Sequence, residues 1–314
     1  MTAVVPQVIR RALLYVPGSS KRFLDRSRTV SVDSVVYDLE DSVTPNEKPH
    51  GRANILEVLN QDRAPNIHEQ AVRINSVGSG FALADLTDIL QGKHLDCIVV
   101  PKVDDASDLR FVTDVLRHML PARHAPGASN PVKIVALIES ARSVMNLSRI
   151  CTGSPYLSGL VFAAEDFAFD LSLKPTPTLE EFTYARSAIV TAARAFNIPS
   201  VIDLVTTTLQ GKQLGFDSEN GRRFGFNGKQ CIHPDQVPLV QRAFSPSEEE
   251  LEWAVRVVIC DAQADAQGRG AWTLDGKMID VPVVRKAKAT VARAKLCGLD
   301  TQHFYHKFRS EKPQ

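Results

Sequence analysis

The sequence is short of the features that would mark it for nucleic acid, membrane or extracellular life. Lys and Arg number 37 against 36 Asp and Glu, for a net charge of +1 over 314 residues. No basic field is present to hold a nucleic acid, and no acidic tail stands out. No apolar run approaches the length that spans a bilayer. The five cysteines (Cys97, Cys151, Cys231, Cys260 and Cys297) are scattered, odd in number and free of metal-site or redox spacing. Buried thiols in a reducing compartment are therefore expected. The N-terminal "MTAVVPQVIRRALLYVPG" runs almost at once into a first strand, unlike a signal or transit peptide. The C-terminal "SEKPQ" is neither a peroxisomal tripeptide nor a prenylation box. A cytoplasmic protein is expected, or a mitochondrial one should a transit peptide precede this chain.

What is present is a repeated alternation. Strand-like runs begin at Arg11, Ser34, Gln70, Cys97, Ile134, Leu157, Pro199 and Gly225. Most are apolar nearly throughout, as parallel strands buried on both faces must be. Amphipathic helices fit the gaps. "TLEEFTYARSAIVTAARAFN" opens with Thr178 and Glu181 spaced as a capping box. Eight such units predict an α/β fold, a (β/α)8 TIM barrel. An open doubly wound sheet is the alternative, but the first strand-to-helix turn lacks a glycine-rich dinucleotide fingerprint. The barrel is expected over 1–245. Residues 246–314 form a C-terminal helical and hairpin extension: Ser247 and Glu250 make a second capping box, Asp275-Gly276 signals a hairpin, and Pro282 opens a last helix.

Active sites of such barrels lie at the C-terminal ends of the strands. Read there, the sequence offers Tyr15; Asp38, Glu40 and Asp41; Arg73 and Asn75; Lys102; Glu139; Glu165 and Asp166; Asp203; Gln230 and His233. The stretch "GLVFAAEDFAFD", Gly159 to Asp170, ends an apolar run in two adjacent acids, and buried charge needs a partner or a metal. Oxygen ligands without a histidine or cysteine cluster suit Mg2+. Glu139 and one of Glu165 or Asp166 could meet across one opening; alternatively these acids only pair with Arg73 and Lys102. In "VPGSSKRFLDR" a helix begins near Ser19 or Ser20 and places Arg22 and Arg26 on one face, either a phosphate or carboxylate site or a solvated basic face. His233 either contacts substrate or caps the last strand. Asp280 stands where a capping residue is common.

"RALLYVPG", "YDLEDSV", "VRINS", "VVPKV", "IESARSV", "EDF", "FNGKQCIHP" and "GKMIDVP" follow one another in this order. Together they resemble the citrate lyase beta-subunit-like family of the HpcH/HpaI aldolase superfamily, in its citramalyl-CoA lyase branch, with malyl-CoA lyases close by. The resemblance runs from about Arg10 to about Lys295. It implies Mg2+, with Mn2+ as a substitute, and a CoA thioester as substrate. It also implies a homo-oligomer, a trimer or hexamer. Glu139 and Asp166 match metal ligands, and Arg73 matches the arginine that binds the substrate's oxygens. Tyr15, Arg22, Arg26, Ile232 and His233 match contacts to CoA and substrate. Glu40, Asp41, Lys102 and Glu165 surround them. Asp280 matches a catalytic aspartate that the extension delivers, as a lid, into a neighbouring subunit. The implied reaction is cleavage of (3S)-citramalyl-CoA to acetyl-CoA and pyruvate. Malyl-CoA or β-methylmalyl-CoA lyase, malate-synthase-like condensation, malyl-CoA thioesterase and a non-catalytic CoA-binding subunit are the alternatives. Two departures stand out: arginines at 22 and 26 where the family carries lysines, and Ala163-Ala164 where glycine is common.

Overall fold

A computed structural model describes residues 9–209 and 211–313. The apolar runs form eight parallel strands: β1 (Ala12–Pro17), β2 (Val32–Asp38), β3 (Ile67–Arg73), β4 (Cys97–Val100), β5 (Lys133–Ile138), β6 (Leu157–Phe162), β7 (Ser200–Asp203) and β8 (Gly228–Cys231). They pair in chain order, and β8 closes onto β1. This is the expected barrel. One set of side chains, including Leu13, Val36, Val99, Leu137 and Val161, fills its interior. The alternate set, including Leu14, Val35, Ile98 and Leu160, packs outward. With both faces buried, no polar alternation survives in the sequence. Arg10, just before β1, sits inside with a two-point bond to Glu69 at 2.7 and 2.8 Å.

The connections carry α1 (Lys21–Ser27), α2 (Lys48–Asn60), α3 (Ala82–Ile89), α4 (Ala106–Met119), α5 (Ala141–Met145), α6 (Leu147–Cys151), α7 (Ala164–Asp170), α8 (Thr183–Ala195), α9 (Lys212–Phe224) and α10 (Val237–Ala243). Two local expectations fail. Glu165 and Asp166 do not end β6; they stand in the first turn of α7, where the helix dipole favours acids. The capping box at Thr178 does not form. The Glu181 carboxylate instead accepts from the amide and hydroxyl of Thr176 at 2.8 and 2.7 Å. Leu179 turns left-handed at φ 58°, and α8 starts only at Thr183.

The described chain divides into two compact units, Arg10–Phe244 and a second that continues from Ser245. The second contains α11 (Glu248–Ala266), β9 (Trp272–Leu274), β10 (Lys277–Ile279), α12 (Val281–Leu296) and α13 (Gln302–Lys307). It has its own core around Val257, Trp272, Leu274 and Ala287. Ser247 and Glu250 form their capping box. Asp275 and Gly276 take φ 51° and 71°, as a two-residue hairpin with both central residues left-handed requires. Four cysteines are buried and none is disulfide-bonded; burial pushes the Cys231 thiol up to about 12. No helix among the described residues is long and apolar enough to cross a membrane.

Candidate active site

The strand register sets the first contact. Asp38 and Arg73 end neighbouring strands and are paired across them. Asp38 accepts from Arg73 Nε at 2.7 Å and Nη2 at 2.8 Å. It also accepts from the backbone of Glu40 and Ser42. Burial works against the Asp38 charge, but the guanidinium and the Ser42 hydroxyl hold its carboxyl below the ordinary value. Arg73 Nη1 lies 2.9 Å from Glu40 Oε2, and its guanidinium sits 4.9 Å over the Tyr15 ring. A guanidinium has five N–H groups, of which Asp38 takes two.

Lys102 completes this cluster. Its Nζ stands 2.8 Å from Glu40 Oε1 and 3.7 Å from Asp41. Its backbone is left-handed at φ 50°, unusual for a side chain of this size. That turn also points the Lys102 amide at Glu139. Lys48, absent from the expected site, donates to the carbonyls of Leu39 and Glu40 at 2.7 and 2.8 Å and so fixes the loop after β2. Nothing in the spacing of "NEKPH" marks it. Asp38 was legible only as one of several strand-end acids.

The acids therefore separate into two groups. Asp38, Glu40 and Asp41 pair with Arg73 and Lys102, which is the structural network allowed from the sequence. Glu139, Glu165 and Asp166 form no ion pair among the described residues. Glu139 follows β5 directly, is only 4% exposed, and its Oε2 has no hydrogen-bond partner. Burial, then the charges of Glu40 and Asp166, push its carboxyl up to about 8. Asp166 is half-buried and lines the barrel mouth, a space of about 460 Å3, together with Tyr15, Arg73, Glu165 and Ile232. No group of three or more His, Cys, Asp or Glu among the described residues has a metal-holding arrangement. Two carboxylates, one buried and lacking a partner, fit Mg2+, which uses one or two and fills its other positions with water and substrate oxygens.

A second cleft of about 180 Å3 opens beside Tyr15 and is lined also by Phe23, Arg26, Ile232 and His233. It separates the two arginines expected to act together. Arg26 lines the cleft; Arg22 does not, and its guanidinium lies 4.9 Å over the Phe23 ring. Ser20 caps α1 with its own hydroxyl, 3.4 Å from the Phe23 amide. Ile232 is exposed to 47% between cleft and mouth. His233 caps the turn after β8, its Nδ1 accepting from the Asp235 amide at 3.2 Å, so the capping role allowed for it is realised. In the second unit, Asp280 caps α12, accepting from the Val283 amide at 3.2 Å.

A closed barrel with carboxylates and two cations at the C-terminal mouth defines the class as a (β/α)8 enzyme. The chain belongs to the HpcH/HpaI aldolase/citrate lyase family, whose model matches residues 11–234, and is a lyase of that family. It is 34% identical to the mitochondrial citramalyl-CoA lyase of Homo sapiens, over 91% of this chain and 85% of that protein. It is 32% identical to the citrate lyase subunit beta of Haemophilus influenzae, over 91% and 97%. It is 30% identical to a (3S)-malyl-CoA thioesterase of Cereibacter sphaeroides, over 90% and 94%. Among solved structures, CitE from Mycobacterium tuberculosis in complex with magnesium, acetoacetate and coenzyme A superposes with a TM-score of 0.72, at 26% identity, over 92% of this chain and 99% of that one.

Proposed function

We propose that the protein is a Mg2+-dependent carbon–carbon lyase that cleaves a 3-hydroxyacyl-CoA, with (3S)-citramalyl-CoA giving acetyl-CoA and pyruvate. One observation carries this reading: among the described residues, Glu139 Oε2 is buried without a hydrogen-bond partner and its carboxyl has no ion-pair partner, beside Asp166 at the mouth of a barrel whose other strand-end acids are paired. The likeness to the human citramalyl-CoA lyase and to a CitE bound to magnesium and coenzyme A supports the choice of metal and thioester.

Glu139 and Asp166 would hold Mg2+, which supplies Lewis-acid chemistry toward the substrate's carboxylate and hydroxyl. Arg73, held in place by Asp38, turns its remaining N–H groups to the substrate oxygens where negative charge develops. Tyr15, Arg26, Ile232 and His233 line the path of the CoA arm, and Arg22 stands outside it. The hydroxyl would give up its proton to solvent and become the keto group of pyruvate, and the electron pair of the broken bond between the carbinol carbon and the acetyl carbon would pass to the thioester enolate. Asp280 of a neighbouring chain, in its protonated form, would give its proton to the acetyl carbon and take it back in the condensation direction. This role makes a homo-oligomer, a trimer or hexamer, the working form, with residues 246–314 as the lid.

The test is product analysis after incubation with (3S)-citramalyl-CoA, with Mg2+ or with chelator. Metal-dependent pyruvate and acetyl-CoA are expected. Pyruvate formation that persists in chelator would refute the metal role. Free CoA without acetyl-CoA would point instead to thioester hydrolysis, the activity named for the Cereibacter relative.

A further inference from the structure

The barrel mouth adjoins another cavity, of about 290 Å3, between the chain following α7 and the loop following β7. Ala164, Glu165 and Val205 line both spaces, so the two lie side by side. The order of strands around the barrel fixes what this side space can receive. Arg73 ends β3, Glu139 follows β5, Asp166 follows β6, and the cleft beside Tyr15 and Ile232 lies between β1 and β8. A substrate with its thioester arm in that cleft and its oxygens toward Glu139, Asp166 and Arg73 can turn its remaining substituent past β6 and β7, away from the charged side of the mouth at Asp38, Asp41 and Arg73.

The walls of the side cavity are apolar or hydroxyl-bearing. Leu204 and Phe182 are buried at its base, and Thr207 and Thr208 are exposed at its rim. Asp217 is 4% exposed and fixed by Thr206 Oγ1 and Gln213 Nε2, each at 2.7 Å. None of the described residues lining the space is Lys, Arg or His. Lys174 and Lys212 stand on the flanking segments but do not line it. Two carboxylates, Glu165 and Asp217, thus face the space, and the cation Lys229 acts on Asp217 only from behind the lining, its Nζ donating to the Leu204 carbonyl at 2.8 Å. An entering anion would meet like charge and lose its water; an alkyl group would gain from leaving water.

We infer that this side cavity selects the oxo-acid half of the substrate, admitting 2-oxo monocarboxylates with an alkyl tail longer than that of pyruvate and rejecting those that end in a second carboxylate. The inference rests on the lyase reading above and deepens it by naming the class of oxo acid.

The test is calorimetric binding of 2-oxopentanoate and 2-oxoglutarate, equal in chain length, to the full chain with Mg2+ and CoA, with pyruvate alongside. 2-Oxopentanoate, with its uncharged tail, is expected to bind more tightly by about tenfold or more. Thr207→Trp, which fills the rim from an exposed position, should abolish that preference and leave pyruvate binding nearly unchanged; Thr208→Trp repeats the test. Equal binding of the two five-carbon acids overturns the inference. So does a preference that survives both variants, or a pyruvate affinity that falls in step with that of 2-oxopentanoate. Citramalyl-CoA cleavage by the same wild-type preparation is read separately: its absence would sink the lyase reading, while the binding preference still decides the role of the cavity.

Discussion

Removing the charge of Glu139 should change how stability depends on pH. The side chain is 4% exposed, and its carboxyl is raised from an ordinary 4.5 to about 8 by burial and by the charges of Glu40 and Asp166. A folded-state value above the unfolded one means that the metal-free fold prefers the protonated acid. The stability gained is complete below pH 4.5 and is lost as pH rises through 8. At about 1.36 kcal/mol per pH unit, the interval is worth on the order of 5 kcal/mol. For a unit of this size that is on the order of 10 °C in Tm. The assay is thermal unfolding of wild type and Glu139→Gln from pH 5 to 9, in chelator and in Mg2+. In chelator, wild type should lose Tm relative to the variant as pH rises. In Mg2+ that loss should vanish, because a bound cation favours the carboxylate, and the variant should gain little from the metal. A chelator-treated difference that stays flat from pH 5 to 9 would refute the reasoning.

Asp38→Ala should cost about 3 kcal/mol, because it removes the two-point partner of the Arg73 guanidinium and leaves it only Glu40 and the more distant Asp41; urea denaturation measures it, and a loss under about 1 kcal/mol would show that Glu40 and Asp41 suffice. His124 is buried with neither ring nitrogen bonded, and burial followed by the charges of Arg123 and Arg117 lowers its value from 6.5. Its contribution to stability should be intact above pH 6.5 and fade as pH falls below it; His124→Phe should remove that fading in an acid-side Tm series. For Asp280, capping and chemistry separate: Asp280→Asn keeps the cap, so Tm should move little while turnover falls by roughly 10²–10⁴-fold. Full activity in that variant would reduce Asp280 to its cap.

The barrel was legible because its strands are buried on both faces, which leaves runs such as "CIVV" and "KIVALI" with almost no polar interruption. Lys102 and Glu139 were legible for the same reason: each is a charge placed straight after such a run. Local signals failed where side chains found other partners. "GLVFAAEDFAFD" continues its apolar character past β6, so the start of α7 is hidden in it, and only the two acids mark the helix. Thr178 and Glu181 have the spacing of a capping box, yet Glu181 reaches back to Thr176. The left-handed turn at Lys102 has no glycine to announce it. The side cavity lies between segments some thirty residues apart, from Pro175 to Thr208, and no pattern within either segment records the space between them.

Comparison with the other buried ion pairs argues that the mouth is more than a structural network. Arg10 with Glu69, Arg11 with Asp33, and Arg186 with Asp203 are also deeply buried, and in each the carboxylate accepts two bonds from one guanidinium. Such pairs are closed on each other, and their remaining bonds go to neighbouring protein groups such as Ser34, Gln241 and Asn220. At the mouth, Asp38, Glu40, Asp41, Glu139, Glu165 and Asp166 set six carboxyls against two cations, Arg73 and Lys102. Among the described residues, the buried carboxyl oxygens without a hydrogen-bond partner are Glu40 Oε2, which still has the Arg73 charge 2.9 Å away, and Glu139 Oε2, which has no such cation. A fold selected only for stability gains nothing from burying a carboxylate such as Glu139 without a cation, because an uncompensated buried charge costs several kcal/mol. On the reading proposed above, a bound divalent cation would supply the missing charge. The same excess explains why Arg73 and Lys102 can keep their charges while surrounded by acids and still leave negative potential at the mouth to hold a divalent ion.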